Sequence, residues 1–271
     1  MSRARTIAIV NQKGGVGKTT TAMNLAAYVG SSGKSCVLVD LDPQANATSG
    51  LGLDPSQLHY GVYEVISGAI DALGALHEIE PHPFKILPAT VALAGANVEL
   101  VDVEEREHQL YKALQPLRES FDYIFIDCPP SLGLLTINGL VASDAVLIPV
   151  QAEYFALEGI GQLMETIQLV KDHLKNDLEI LGALITMYDR RYKLSEHILL
   201  ELYRHFPKKI FRTVIPRNIR LAEAPSHGKT ILHYSASSRG ARAYERCMRE
   251  LLSLEMERSR QSQDVAHISQ S

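Results

Sequence analysis

One eight-residue stretch, Lys13-Gly-Gly-Val-Gly-Lys-Thr-Thr20, constrains this chain more than any other. It lies between an apolar run of strand length, Thr6 to Asn11, and a helical pattern from about Gly17 to Gly30. Gly14, Gly15 and Gly17 let the backbone curl so that several N–H groups converge on one point. The helix that follows aims the positive end of its dipole at the same place. Strand, glycine turn and helix in that order build a phosphate cradle. Within it Val16 and Thr20 complete the loop, Lys18 would neutralise the β- and γ-phosphates of a nucleotide, and the Thr19 hydroxyl would ligate Mg²⁺. The pattern departs from the usual GxxxxGK[ST] at one place: Gln12 stands where a glycine is expected. A second lysine, Lys13, opens the loop. It serves either as a charge delivered to a partner subunit's phosphates, as an arginine finger supplied in trans does, or as a solvated surface lysine.

The rest of the chain alternates buried-strand runs with helical patterns. Further strands are expected at Ser35 to Leu41, Tyr123 to Asp127, Ala145 to Val150, Leu178 to Thr186 and Ile210 to Ile215, with helices near 103–119, 154–175, 194–205 and 237–257. Continuous Val/Ile/Leu runs, rather than alternating ones, are what strands covered on both faces require. The expectation is an α/β fold: a doubly wound, mostly parallel sheet flanked by helices. No long linker divides the chain, so residues 1–258 read as a single domain, and the polar, aperiodic residues 259–271 as a disordered tail. Asp127 ends its strand at the carboxyl edge, where open α/β sheets place ligands, and is expected to hold the metal.

Composition narrows the function classes. Hydrophobic residues make up 46% and charged residues 21%, which excludes a wholly disordered chain. No apolar run has the length of a membrane span, and Cys36, Cys128 and Cys247 stand far apart, so a cytoplasmic protein without disulfides or structural zinc is expected. The net charge of −4 conceals an asymmetry: residues 204–249 hold eleven Lys or Arg against Glu223 and Glu245 alone. Positive charge concentrated late in an acidic chain reads either as a polyanion-binding face or as a solvated helix surface.

The string Val10-Asn-Gln-Lys-Gly-Gly-Val-Gly-Lys-Thr-Thr-Thr-Ala-Met-Asn-Leu-Ala26 resembles the deviant Walker A loop of the ParA/MinD class of P-loop ATPases. Three further segments narrow the resemblance to ParA/Soj-type chromosome or plasmid partition ATPases: Val39-Asp-Leu-Asp-Pro-Gln44 with Asn46 to Gly52, Ile126-Asp-Cys-Pro-Pro-Ser131, and Ile215-Pro-Arg-Asn-Ile-Arg-Leu221 with Glu223 to Gly228. The resemblance implies ATP and Mg²⁺ as cofactors and slow hydrolysis of ATP without a partner. It makes Lys13, Lys18 and Asp42 catalytic, with Asp42 positioning the attacking water, and Asp40 structural or a distant contact of the metal. Pro216 and Asn218 would flank the adenine. It further implies an ATP-dependent homodimer, stimulation by a ParB-like centromere-binding protein, and sequence-independent binding of double-stranded DNA through Arg190 and Arg220.

Lys229 and Arg242 join these two arginines as candidates on the basic face. The last helix runs on into Glu255, Glu257 and a Ser/Gln tail, an ending unsuited to an anionic bilayer, so DNA and the nucleoid are expected rather than a membrane. Two alternatives remain at this stage: a related ATPase that positions another cargo on the nucleoid, and a P-loop amide or carboxylate ligase.

Overall fold

The computed structural model describes residues 3–151, 156–189, 202–203, 206 and 209–268. Seven strands form one sheet in the order β3-β4-β2-β5-β1-β6-β7. They are β1 (Arg5–Ile9), β2 (Cys36–Asp40), β3 (His77–Glu78), β4 (Lys85–Leu87), β5 (Tyr123–Asp127), β6 (Ala145–Gln151) and β7 (Glu179–Thr186). All neighbours run parallel except β3 and β4.

The uninterrupted apolar strands are explained by two buried faces. Ala8, Val10, Val37, Val39, Ile124 and Ile126 pack on one side, against α7 (Leu134–Val141) and α8 (Ala156–His173). Ile7, Ile9, Leu38, Phe125 and Leu147 face the other, against α1 (Lys18–Ser31) and the last helix. Each such side chain contributes about 1.5–3 kcal/mol when fully buried, so strand alternation is replaced by apolar residues at every position. The parallel arrangement brings the carboxyl ends of β1, β2 and β5 to one edge, and Asp40 lies opposite Asp127 in register there.

The structure departs from the sequence expectations at four places. Ile210 to Ile215 is not a strand. Phe211 and Ile215 donate to the Ala183 and Ile185 carbonyls of β7, but between them Arg212 and Thr213 donate to the Glu250 carboxylate at 2.6 and 2.9 Å. That side chain draws the middle of the segment off the ladder, leaving only isolated bridges. The helix expected over 103–119 is broken into short turns, α5 (Gln109–Ala113) and α6 (Gln115–Ser120), because Pro116 falls in the first turn of α6 and lacks the N–H that would continue α5.

Strands β3 and β4 were not expected from the sequence, being two and three residues long. The last helix, Arg239–Ile268, continues ten residues past residue 258, where the sequence reading placed a disordered tail. Ser259 bonds back to the Glu255 carbonyl, and Arg258 pairs with Glu255 one turn earlier, so a polar sequence still propagates the helix. The helix expected at 194–205 lies largely outside the described residues. Among the described residues, no helix is long and apolar enough to cross a membrane.

The shorter helices that frame the site are α2 (Asn46–Gly50), α3 (Val62–Ile66), α4 (Ala96–Glu99), α9 (Ile219–Glu223) and α10 (Ile231–Tyr234); Arg239–Ile268 is α11.

Candidate active site at the carboxyl edge of the sheet

The glycine turn leaves β1 and enters α1 with Gly15 at φ 73° and Gly17 at φ 88°, the left-handed region that glycine occupies without strain. Its shape is fixed by side chains from elsewhere. Asn11 donates to the Pro149 carbonyl at 2.8 Å and accepts from the Lys13 N–H at 2.9 Å. The Thr186 hydroxyl, at the end of β7, donates to the Val16 carbonyl at 2.7 Å. Gln12 has a packing reason for replacing glycine: its side chain lies against Gly159 of α8, so closely that a methyl group on Gly159 would come within 2.8 Å of it.

Lys18 is 6% exposed and donates to the Lys13 carbonyl at 3.1 Å. Burial pushes its ammonium below the usual lysine range, while Asp127 and Asp42 pull it back. Lys13 itself is half-buried, Gly14 and Gly15 are exposed, and Thr19 and Thr20 are half-buried.

Asp127 is fully buried, and neither carboxylate oxygen makes a hydrogen bond among the described residues. Burial first, and the neighbouring Asp40 second, push its carboxyl well above the ordinary range; Thr19 and Lys18 offset this in part. An orphaned anion of this kind is costly unless a cation joins it. The oxygen-only set formed by Asp127 and the nearby Thr19 hydroxyl fits a hard divalent cation such as Mg²⁺. Asp42 stands 5% exposed on the loop after β2 and accepts from the Gln44 N–H at 3.0 Å.

Two cavities meet here. A polar cleft of about 380 Å³ is lined by the glycine loop, Lys18, Thr19 and Asp42. An apolar pocket of about 370 Å³ is lined by Ile215, Pro216, Asn218, Leu221 and Tyr244. Both include Gly17, Thr20 and Met187, so they adjoin as one groove, with Lys18 and Asp42 at one end and an apolar lining at the other. Of the sequence candidates, Gly14, Gly15, Gly17, Lys18, Thr19, Thr20, Asp42, Pro216 and Asn218 line this groove; Lys13 and Val16 belong to the loop without lining it, and Asp127 is buried near Lys18.

The basic candidates Arg220, Lys229 and Arg242 do not line the groove; they are exposed, as is Arg239, whereas the exposed Arg217 lines its apolar pocket. Arg220 pairs with Glu223 at 2.9 Å, an exposed contact of small energetic worth. Arg190 lies outside the described residues.

The sequence reading missed the residues that join α1 to the last part of the chain. Asn24, on the second turn of α1, donates to the Thr20 carbonyl at 2.7 Å and accepts from the Ile231 N–H at 2.9 Å. The Thr21 and Tyr244 hydroxyls are hydrogen-bonded at 3.0 Å in the core. These partners are some two hundred residues apart, and no local pattern announces them. The one available signal is a polar residue, Asn24, within the apolar stretch 22–29 of α1.

Comparison with known proteins follows the geometry. A family model described as AAA domain matches residues 4–180. Soj of Bacillus subtilis, named a sporulation initiation inhibitor protein, is 52% identical over 238 residues, covering 88% of this chain and 94% of that protein. The chromosome partitioning protein ParA of Myxococcus xanthus is 49% identical over 92% of this chain and 88% of its own length. Among solved structures, cobyrinic acid a,c-diamide synthase from Mycobacterium smegmatis with bound ATP analog and magnesium superposes with a TM-score of 0.83 at 40% identity, covering 92% and 94% of the two chains. Loop, strand-end aspartates and relatives agree, and the chain belongs to the Soj/ParA family of chromosome-partitioning ATPases.

Proposed function

We propose that this protein hydrolyses ATP to ADP and phosphate, and uses the cycle to join and leave DNA while segregating a chromosome or plasmid. The observation that carries the reading is the composite groove: a phosphate cradle with buried Lys18 and orphaned Asp127 at one end, and the Pro216–Asn218 pocket at the other. In this reading the loop N–H groups and Lys18 bind the phosphates, Pro216 and Asn218 hold the base, and Asp42 orients the attacking water. Thr19 and Asp127 would hold Mg²⁺, which when bound withdraws charge from the β- and γ-phosphates. Lys18 is held in place by the Lys13 carbonyl before nucleotide arrives, so little reorganisation accompanies charge development.

Lys13 reaches across to the nucleotide of a second copy, so that two subunits close face to face only around the triphosphate. Closure aligns two sets of exposed cations, among them Arg220, Lys229 and Arg242, on the DNA backbone. Such contacts are sequence-independent and steeply salt-dependent. Hydrolysis removes the γ-phosphate that the cross-seam lysine holds, the pair opens, and DNA is released; a ParB-like protein accelerates that step. Lys13→Ala is expected to leave nucleotide binding by the single chain largely intact and to abolish dimers formed with a non-cleavable ATP analogue. Unchanged dimers in gel filtration would falsify the cross-seam role.

One observation favours a second reading. The superposable Mycobacterium smegmatis structure is described as an amide synthase. The higher identities to partition proteins and the exposed cations tied to α1 through Asn24 and Tyr244 weigh for partition. Phosphate release that requires a small carboxylate substrate, and is indifferent to DNA, would reverse that judgement.

A further inference from the structure

We infer that Thr48 is a positioning residue for hydrolysis, acting through Asp40 on the loop that carries Asp42. The inference rests on the hydrolase reading above. Asp40 and Thr48 are both fully buried. One Asp40 oxygen, Oδ2, accepts from both the Thr48 N–H at 2.8 Å and the Thr48 hydroxyl at 2.7 Å. The other, Oδ1, accepts from the Asp42 N–H at 3.3 Å. The Thr48 hydroxyl also accepts from the Ala89 N–H at 3.0 Å, just past the end of β4. A single side chain therefore pins both ends of the loop between β2 and α2 to the sheet.

The loop needs such a pin. Ala45 sits at φ 52°, a left-handed conformation unfavourable for a residue with a Cβ, and its N–H closes a turn on the Asp42 carbonyl at 2.8 Å. Without the Thr48 hydroxyl, the Asp40 carboxylate loses a charge-assisted bond and the Ala89 N–H loses its acceptor. The Asp42 N–H is then tied to the sheet only through its long contact with a less firmly held Asp40 carboxylate, while the Ala45 turn holds Asp42 to the loop alone. Misplacing a water-orienting carboxylate by about 1 Å costs hydrolysis far more than it costs ATP binding, since the phosphates are held by the loop N–H groups and Lys18 rather than by the Asp42 carboxylate. Threonine is suited to the task because its hydroxyl donates and accepts at once, while its methyl group fills apolar space.

The test is Thr48→Val, which keeps the shape and the N–H and removes the hydroxyl, with Thr48→Ser as the conservative rescue. The expected result is a fall in kcat for ATP hydrolysis of about 10-fold to 100-fold, with affinity for a non-cleavable ATP analogue within about twofold of wild type. Serine restores most of the rate. Placed in an Asp40→Asn background, Thr48→Val costs less than it does alone, because the two act as one unit. A wild-type rate in Thr48→Val, equal losses of rate and nucleotide affinity, or full additivity with Asp40→Asn each overturns the inference. Hydrogen exchange at the Asp42 and Thr48 amides separates the two levels of argument. If the wild-type chain proves not to hydrolyse ATP, the proposed function fails; loss of amide protection in Thr48→Val then still supports the clamp, and unchanged protection still refutes it.

Discussion

The glycine loop and the segment beyond β7 are held in place by different means. In the loop, Gly15 and Gly17 adopt conformations that only their lack of a Cβ makes easy, and two side chains, Asn11 and Thr186, fasten that backbone to β6 and β7. Residues 209–234 carry only short helical turns, and they are held by backbone bonds to β7 and by side chains on other elements. Glu250 takes two of their N–H groups, Asn24 takes a third, and Gly52 meets Gly228 backbone to backbone, where a methyl group on Gly228 would lie 3.2 Å from the Gly52 Cα. A phosphate site must be rigid before its ligand arrives. A surface that follows the state of that site needs ties to it rather than a rigidity of its own.

Breaking the loop should have the largest effect. Lys18→Ala removes the buried cation and is expected to lower ATP hydrolysis at least 100-fold in a phosphate-release assay, a loss typical of removing one preorganised charge from a developing anion. Next comes Asp127→Asn, which separates stability from function. It relieves two buried acids facing each other, so nucleotide-free protein should unfold at higher temperature, by about 1–2 kcal/mol of stability, while magnesium-dependent hydrolysis is lost. A lower melting temperature would contradict the assignment of Asp127 as an orphaned charge.

Severing the ties should have intermediate effects and act on the other region. Asn24→Ala leaves the buried Ile231 N–H without an acceptor and is expected to cost about 1–3 kcal/mol in denaturant unfolding, with a larger proportional loss of DNA retention than of ATP binding. Equal losses in both would show that the two regions are not joined at this point. The smallest effect belongs to the exposed cations. Arg220→Ala should lower the slope of log affinity against log salt by about one and leave dimerisation alone.

The titration of the acids sharpens the same contrast. Burial raises Asp40 to about 6, despite three donors that act the other way. An acid whose folded value lies above its unfolded one favours the fold at low pH, and that contribution is lost as pH rises through about 4 to 6. Nucleotide-free protein should accordingly lose stability across that window, and binding of magnesium and ATP near pH 6 should release protons, measurable by calorimetry in buffers of different ionisation enthalpy.

Much of this architecture was legible in the sequence because its causes are local. Apolar runs mark β1, β2, β5 and β6 to within a residue or two; Asp127 is singled out because it ends such a run, and Asp42 because the segment around it resembles the family's. Several of the failures share a cause, a partner distant in sequence. Ile210 to Ile215 has the composition of a strand, and only Glu250, nearly forty residues on, keeps it from being one. Thr48 and Asn24 look like ordinary helix residues until their partners are brought up by the fold. Short β4 is held by a single neighbour on each side, too little length for any periodicity to register.

The interrupted segment at 209–215 has a consequence for how copies of this chain can meet. It lies across the outer margin of β7, while the far margin ends in a strand of two residues running against the others. Among the described residues, neither border offers a row of free amides and carbonyls long enough to template a neighbour's strand. Growth of the sheet from one molecule into the next is thereby blunted at both borders.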